Sequence, residues 1–184
     1  MQAAKVIIDT PAYFATNRGI ADIRVVQSAT TGSGAATWAF RNKTSGKKIY
    51  ITRIWMQLFQ SGTGAATEMQ YEWVKGTGCT AMSGGNAVTP LNKRTAFTNP
   101  DVDIRVLDTG LTQTGISQGS AFFNCVWSRL THSATQAGAV SPMFTLDMLG
   151  DPIELLQNEV LSLRQAVNSV VGDSVSGGVE FYGG

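Results

Sequence analysis

The sequence predicts an all-β domain, and three observations support this prediction. Several segments alternate apolar and polar residues with a period of two, which is the pattern of strands with one buried face. Glycine-rich turns separate these segments, and only 15% of the 184 residues are charged. A chain of this length can bury a core without metals or disulfides. We therefore expect one folded domain whose polar surface is mostly uncharged.

The clearest strand spans Thr67 to Val74, where Met69, Tyr71 and Trp73 alternate with polar side chains. A helix would scatter these three residues around its circumference, whereas a strand places them on one face. Residues 47–60 form a longer apolar segment whose two faces should both be at least partly covered. The glycine-rich break at residues 61–64 predicts that residues 47–75 form a hairpin.

The same alternation predicts eight strands in all. They are residues 36–41, 47–60, 66–76, 102–108, 120–130, 143–149, 158–167 and 176–182. Eight short strands separated by glycine-rich turns are typical of a jelly roll or a related β-sandwich. We expect residues 31–184 to form this sandwich and residues 1–30 to form an N-terminal arm or an added strand.

Two segments leave alternatives open. Residues 151–171 read as an amphipathic helix capped at Asp151, or as two strands separated by a turn at Gln157 and Asn158. The valines late in this segment and the all-β context favour two strands. The stretch from Thr77 to Pro100 is the longest without a clear pattern, so we expect a functional or mobile loop there.

Charge and cysteine content exclude several classes of function. The net charge of +1 provides no basic field for nucleic acid, and no apolar run is long enough to span a membrane. The chain shows no secretory signal, which predicts assembly in the cytoplasm. Cys79 and Cys125 lie far apart in sequence, and we expect buried free thiols rather than a disulfide.

Residues that could carry chemistry are isolated. His132 lies in a polar loop without a nucleophile motif nearby, and we expect it to be an ordinary surface residue. Asp101, Asp103 and Asp108 raise the question of a carboxylate pair or a calcium site, but the alternation around Asp103 places it on a solvated strand face. We therefore predict no enzyme activity, no cofactor and no metal.

Aromatic residues are the remaining candidates for a binding surface. Trp73 and Trp127 fall on apolar strand faces and are expected in the core. Trp55 and Tyr182 are expected as surface contacts, which would suit a protein interface or a glycan site. A carbohydrate-binding module therefore stays open as an alternative function.

From Arg41 onwards the chain resembles the small jelly-roll structural proteins of tailed bacteriophages. The resemblance rests on an aromatic strand ending in Arg41-Asn42-Lys43, the loop at residues 83–90, the strand pair around residues 152–155 and 159–164, and the closing Val179-Glu180-Phe181-Tyr182. The chain departs from this pattern at Gln157 and Asn158, where a turn glycine is expected, and at Gly184, where a more acidic residue is expected.

The resemblance implies a capsid decoration or cement protein that binds the outer capsid surface and stabilises it. It implies that the major capsid protein is the partner and that the chain self-associates as a homotrimer or another homo-oligomer. It also implies that the chain resides in the virion without catalytic residues. A tail or fibre component is the alternative within virions. Tyr13 and Phe14 would belong to an arm that reaches a neighbouring subunit, or to a disordered tail.

Overall fold

The computed structural model describes residues 17–26, 34–60, 68–92, 101–107, 110–128, 140–166 and 172–183. Every regular element among them is a strand. In chain order the strands are β1 (Asn17–Val26), β2 (Ala36–Asn42), β3 (Ile49–Phe59), β4 (Glu68–Thr77), β5 (Ala81–Ser83), β6 (Asn86–Ala87), β7 (Leu91–Asn92), β8 (Val102–Val106), β9 (Thr112–Thr114), β10 (Ser117–Ser128), β11 (Phe144–Asp147), β12 (Ile153–Leu155), β13 (Val160–Gln165) and β14 (Ser174–Gly183). No helix in this part of the chain is long and apolar enough to cross a membrane.

The strands form two main antiparallel sheets that pack face to face. Sheet A has the order β11-β3-β14-β1-β7, with β12 also paired to β3, and sheet B has the order β10-β4-β13-β2-β8-β6. The long strands pair in nested fashion: β1 with β14, β2 with β13, β3 with β11 and β12, and β4 with β10. This nesting is the jelly roll, so the predicted fold class is confirmed.

The core lies between the two sheets and is rich in aromatic rings. Trp38 meets Trp73 edge to face at a centroid distance of 5.6 Å, and Phe40 meets Phe181 at 4.8 Å. The indole Nε1 of Trp38, on β2, donates to the main-chain oxygen of Asp22, on β1, over 3.1 Å. The contact of Phe40 with Phe181 and the hydrogen bond of Trp38 each join sheet B to sheet A, so packing and one partly buried polar contact together fix the two sheets against each other.

The predicted hairpin over residues 47–75 is wrong. The two strands exist, but β3 lies in sheet A and β4 lies in sheet B. The partners of β3 are β11, β12 and β14, which follow it by about 80 residues or more in the chain. The nested pairing of a jelly roll places consecutive strands in opposite sheets, and a local turn pattern does not reveal such distant partners.

One strand of the sandwich, β1, was not among the eight predicted strands. The strand at residues 17–26 pairs with β14 along its whole length and belongs to the jelly roll. The predicted strand at residues 102–108 appears as β8, which pairs with β2 and β6 outside the nested set. Residues 1–16 and 27–33 lie outside the described residues, so the expected N-terminal arm is not described.

Residues 151–166 form two strands and not a helix. β12 pairs with β3 in sheet A and β13 pairs with β2 and β4 in sheet B, so the turn between them passes from one sheet to the other. Asn158 lies in this turn with a φ of 64°. Asparagine tolerates this left-handed conformation better than most residues, which explains how the turn forms without glycine.

The stretch from Thr77 to Asn92 is not the irregular loop that was expected. It contains β5, β6 and β7, and β5 pairs with β9 to form a two-stranded ribbon. This ribbon covers the outer face of sheet B, where a second small cluster buries Ala39, Cys79, Met82 and Val160. Residues 93–100 lie outside the described part of the chain.

Candidate functional site

The strand β10 is the most unusual feature of the sheet edges. Sheet B ends on one side at β10, which has 12 residues, and on the other at β6, which has 2 residues. Sheet A ends at β7, with 2 residues, and at β11, with 4 residues. Very short edge strands are a common protection against pairing with another chain. Among the described strands, β10 is therefore by far the longest strand that ends a sheet.

The side chains of β10 give this edge little further protection. Its sequence, SQGSAFFNCVWS, contains no charged residue and no proline. Phe122, Asn124 and Val126 point outward and are exposed, whereas Phe123, Cys125 and Trp127 pack toward the core. Irregular register occurs only between Gln118 and Phe123, so the strand pairs regularly with β4 from there to its end. Charges, prolines and bulges, which normally blunt an edge, are absent from this regular half.

The neighbouring edge of sheet A is formed by residues 140–155. Val140 bridges to Phe59, β11 pairs with the middle of β3, and β12 pairs with its beginning. The edge is interrupted between β11 and β12, where the amide of Asp151 donates to the carbonyl of Met148 over 3.1 Å. This edge is short and kinked, but its side chains are strongly apolar.

Exposed large hydrophobic side chains concentrate on these two edges. Seven are found among the described residues, and six of them lie on β10 or in residues 140–156. We call these six the apolar side, which consists of Phe122, Val126, Val140, Met143, Leu149 and Leu156. The two edges lie on the same side of the sandwich, since β1 packs against β2 and β8 at the other side. The seventh, Leu91, lies on β7 at the far edge of sheet A.

Partly buried aromatic and aliphatic residues close the sandwich between the two edges. They come from β10 on one sheet and from β11 and β12 on the other, and all pack against the main core: Phe123, Trp127, Phe144, Leu146, Met148 and Ile153. The apolar side is thus continuous with the interior of the protein. A rigid base of this kind favours a binding surface, because little conformational entropy is left to lose on contact.

An open cleft of about 580 Å³ lies beside the beginning of β10. Its walls are residues 117–120, Phe122 and Ile153, together with Lys75 and Glu159. The Lys75 ammonium contacts the Glu159 carboxylate at 2.8 Å and donates to the main-chain oxygen of Glu154 at 2.7 Å. Glu159 also accepts from the amide of Leu156 at 2.7 Å. Lys75 and Glu159 therefore pair with each other and with the main chain around residues 154–156. These contacts hold the turn between β12 and β13, so both residues have a structural role.

The carboxylates considered for catalysis or calcium are engaged in ion pairs. Asp103 has a side chain only 16% exposed and contacts Arg41 at 3.7 Å and Arg105 at 3.0 Å. The prediction that Asp103 lies on a solvated face is therefore wrong, because the ribbon of β5 and β9 and its flanking residues cover Arg41 on that face. Asp101 pairs with Lys43 at 2.8 Å near the surface. Asp108 and His132 lie outside the described residues.

The buried guanidinium of Arg41 connects this ribbon to sheet B. It donates to the main-chain oxygens of Cys79 and Thr80, and its Nε is buried without a hydrogen-bond partner. Further along the same face, Gln113 donates to Ser162 over 2.7 Å, and Arg164 pairs with Glu72 at 2.6 Å. The contacts of Arg41 and Gln113 hold the ribbon on sheet B, whereas the pair of Arg164 and Glu72 joins β13 to β4 within the sheet.

The structure places two of the four predicted interface residues. Trp55 is partly exposed, the Arg53 guanidinium lies over its ring at 5.8 Å, and the ring packs closely on Gly178 of the neighbouring strand. Tyr182 is only 4% exposed and stacks on Tyr50 at 4.8 Å. Tyr182 therefore presents little surface to a partner, and neither residue belongs to the apolar side. The other two predicted residues, Tyr13 and Phe14, lie outside the described residues.

Both cysteines are free and buried, as predicted. Burial raises the pKa of the Cys125 thiol to about 12. Burial also raises the pKa of Cys79, although the nearby Arg41 opposes this shift. Neither thiol is set up as a nucleophile, since reactive cysteines have lowered pKa values. Within the described ranges, no group of three or more His, Cys, Asp or Glu residues is placed to hold a metal ion.

The residues of the apolar side were not predicted from the sequence, although one feature of the sequence indicates part of it. Phe122 and Phe123 are adjacent, and adjacent residues of a strand point to opposite faces. One of the two rings had to face outward unless something covers both faces of β10. For Val140, Met143 and Leu149 no such signal exists, because their exposure depends on the kinked edge of sheet A.

Comparison with known proteins yields no relative of the chain. No protein-family model, no curated protein and no solved structure matches it. The resemblance to phage jelly-roll proteins therefore stays a prediction. The fold class and the apolar side are the observations on which a function can be proposed.

Proposed function

We propose that this chain is a non-enzymatic structural protein of a tailed-phage virion that binds the outer capsid surface and stabilises it. The observation that carries the proposal is the apolar side, where six exposed hydrophobic side chains gather along two adjacent sheet edges. The major capsid protein is the proposed partner. The phage context comes from the resemblance described above, and the apolar side supplies the physical means of attachment.

Exposed apolar surface of this kind is typical of a protein interface. Solitary surface hydrophobics are ordinary, but clustered ones mark sites that another protein covers. Phenylalanine and methionine are enriched at interface cores and charged residues are depleted there. Phe122 and Met143 fit this composition, and β10 has no charge along its 12 residues.

We propose that the chain acts by binding the capsid and does not convert a substrate. A decoration protein stabilises a shell by burying surface across neighbouring capsid subunits, which shifts the equilibrium toward the assembled shell. A specific interface buries about 1,000 Å² or more in total, and several modest contacts made by an oligomer reinforce one another. We accordingly propose that the chain acts as a homo-oligomer on the capsid.

The proposal is tested by rebinding the purified chain to phage particles from which it has been stripped. The double variant Met143→Ser with Leu149→Ser removes two side chains that are 59% and 60% exposed, so the fold should be unaffected. We expect at least a tenfold loss of bound protein, on the order of 1.4 kcal/mol.

The matched control is Leu91→Ser, which removes a side chain 62% exposed on the opposite edge of sheet A. This control should rebind like the unaltered chain. Equal rebinding of the double variant and the unaltered chain would show that the apolar side is not the docking surface. No rebinding by the unaltered chain would contradict capsid attachment itself.

A further inference from the structure

We propose that β10 pairs antiparallel with β10 of a second copy of this chain, across a two-fold axis at Asn124. This inference goes beyond the proposed function and does not depend on it, because self-association is a property of the purified chain. It rests on two observations: the long, uncharged edge of β10, which pairs regularly with β4 from Phe123 onwards, and the self-complementary order of its exposed residues.

An open edge of this length can accept a partner strand. A strand at the edge of a sheet presents unpaired N–H and C=O groups that template another strand. In the described part of the chain, β4 is the only strand that pairs with β10. The strands that end the other sheet edges have 2 to 4 residues, although β7 covers only Gly19 and Ile20 of β1. Among the described strands, β10 is the longest one that ends a sheet, and a second strand can add to it.

The exposed face of β10 is self-complementary about Asn124. Phe122 lies at a register shift of the pairing between β10 and β4, and regular pairing begins at Phe123. In an antiparallel pair centred on Asn124, the side chain of Phe122 faces Val126 of the other copy, and Asn124 lies opposite its own equivalent. Both apolar side chains, each 43% exposed in the single chain, are then covered. The polar pair lies at the axis, where two asparagine side chains can hydrogen-bond.

The inward face fits the same register. Phe123 lies opposite Cys125 of the other copy, so a large side chain meets a small one. Moving the centre to Phe123 would place Phe122 opposite Asn124 and leave the apolar residues facing polar ones. Since β10 has no charge, no register in this strand brings like charges together. The register centred on Asn124 is the one that covers both exposed hydrophobics.

The resulting assembly is an isologous dimer, in which the same surface of each copy makes the contact. It joins the two six-stranded B sheets into one continuous sheet. The resemblance to phage proteins implies a trimer, whereas this edge offers a two-fold contact. The exposed residues of segment 140–156 stay outside the strand pairing in this arrangement and so remain free to contact a different partner.

Introducing a positive or a negative charge at residue 124, on the proposed axis, tests both the pairing and its register. Light scattering on the purified chain should give a mass twice the 19.6 kDa of one copy. In Asn124→Lys, two ammonium groups meet at the axis, and in Asn124→Asp, two carboxylates do. Like charges in contact cost several kcal/mol, so each variant alone should lose affinity by more than about tenfold. Mixing the two variants should restore the dimer as a heterodimer, since opposite charges then meet.

The matched control is Ser176→Lys, which adds the same charge at an exposed position of β14. β14 is paired on both sides, so this variant should dimerise like the unaltered chain. Circular dichroism should be unchanged for all three variants, because both positions are exposed. The melting temperature should fall only for the two Asn124 variants, because loss of the dimer removes its contribution to stability. A monomeric or trimeric unaltered chain would overturn the proposal. So would a dimer that tolerates both charges at residue 124, or a mixture of variants that stays monomeric.

Discussion

Trp73 and Met56 meet at the centre of the sandwich, where the indole Nε1 of Trp73 lies 3.3 Å from the sulfur of Met56 and donates toward it. Trp73 belongs to sheet B and Met56 to sheet A, and both are fully buried. The contact gives the buried indole N–H a polar partner, although thioether sulfur is a weak acceptor. It also joins the two sheets at the point where Trp38 packs on the same indole.

Replacing Trp73 by alanine should therefore destabilise the fold strongly. We expect a loss of about 3 to 5 kcal/mol in the free energy of unfolding, because the cavity cannot collapse between two sheets. Urea unfolding followed by circular dichroism measures this loss. Trp127→Ala is the control and should cost less, since Trp127 is partly exposed at the sandwich edge. An unchanged urea midpoint for Trp73→Ala would contradict the described core.

Asn158 should tolerate glycine but not a β-branched residue. Its φ of 64° is a left-handed conformation, which costs roughly 1 to 2 kcal/mol for an ordinary residue. We expect Asn158→Gly to change stability by less than about 0.5 kcal/mol and Asn158→Val to lose at least about 1 kcal/mol. Thermal unfolding of both variants gives the comparison. Equal melting temperatures would mean that the turn does not require this conformation.

The ion pair of Arg41 and Asp103 should contribute far more than the exposed pair of Lys43 and Asp101. The side chains of the first pair are 9% and 16% exposed, and those of the second are 40% and 65% exposed. Arg41→Ala should cost about 3 kcal/mol, because it leaves buried carbonyls and a carboxylate with fewer partners. Lys43→Ala should cost less than about 1 kcal/mol. A double-mutant cycle on each pair, by urea unfolding, measures the two coupling energies.

Stability should fall at alkaline pH because of the buried thiols. The pKa of Cys125 is raised from 9.0 to about 12 by burial, so the unfolded chain loses this proton first as pH rises. The contribution of this thiol to the free energy of unfolding is fully present below pH 9 and is lost between pH 9 and 12. Near pH 10 the loss is on the order of 1 kcal/mol. Cys125→Ala should show a smaller fall, as measured by urea midpoints from pH 7 to 10. An identical fall in both proteins would place its origin elsewhere.

The alternation of residues predicted which side chains are buried, but not which strands are neighbours. Met69, Tyr71 and Trp73 point into the core as the period of two indicates. By contrast, β3 pairs with β14 through Phe59 and Ser174, which are far apart in the chain. Pairing partners at this separation are chosen by the packing of the whole sandwich. Residues 17–26 fall in the segment predicted to form an arm or an added strand, and they form a strand. Their place beside β14 could not be predicted, because it depends on that packing.

The candidate site was less predictable than the fold. The segment at residues 120–130 was expected to be a strand, and Ser117–Ser128 is one. Its position at a sheet edge follows only from the order of strands in sheet B. The expected contacts at Trp55 and Tyr182 were chosen by residue type. Type alone does not show that Tyr182 is covered by the stacked ring of Tyr50.

The central claim, that the chain is a structural component of a capsid surface, is tested most directly by counting it in particles. Purified particles of the phage that encodes the chain should be analysed by quantitative mass spectrometry, with the major capsid protein as the internal reference. Capsid decoration predicts many copies per particle, in a fixed ratio to the major capsid protein, that are released together by mild denaturant. Absence of the chain from particles, or a mere few copies per particle, would contradict the proposal.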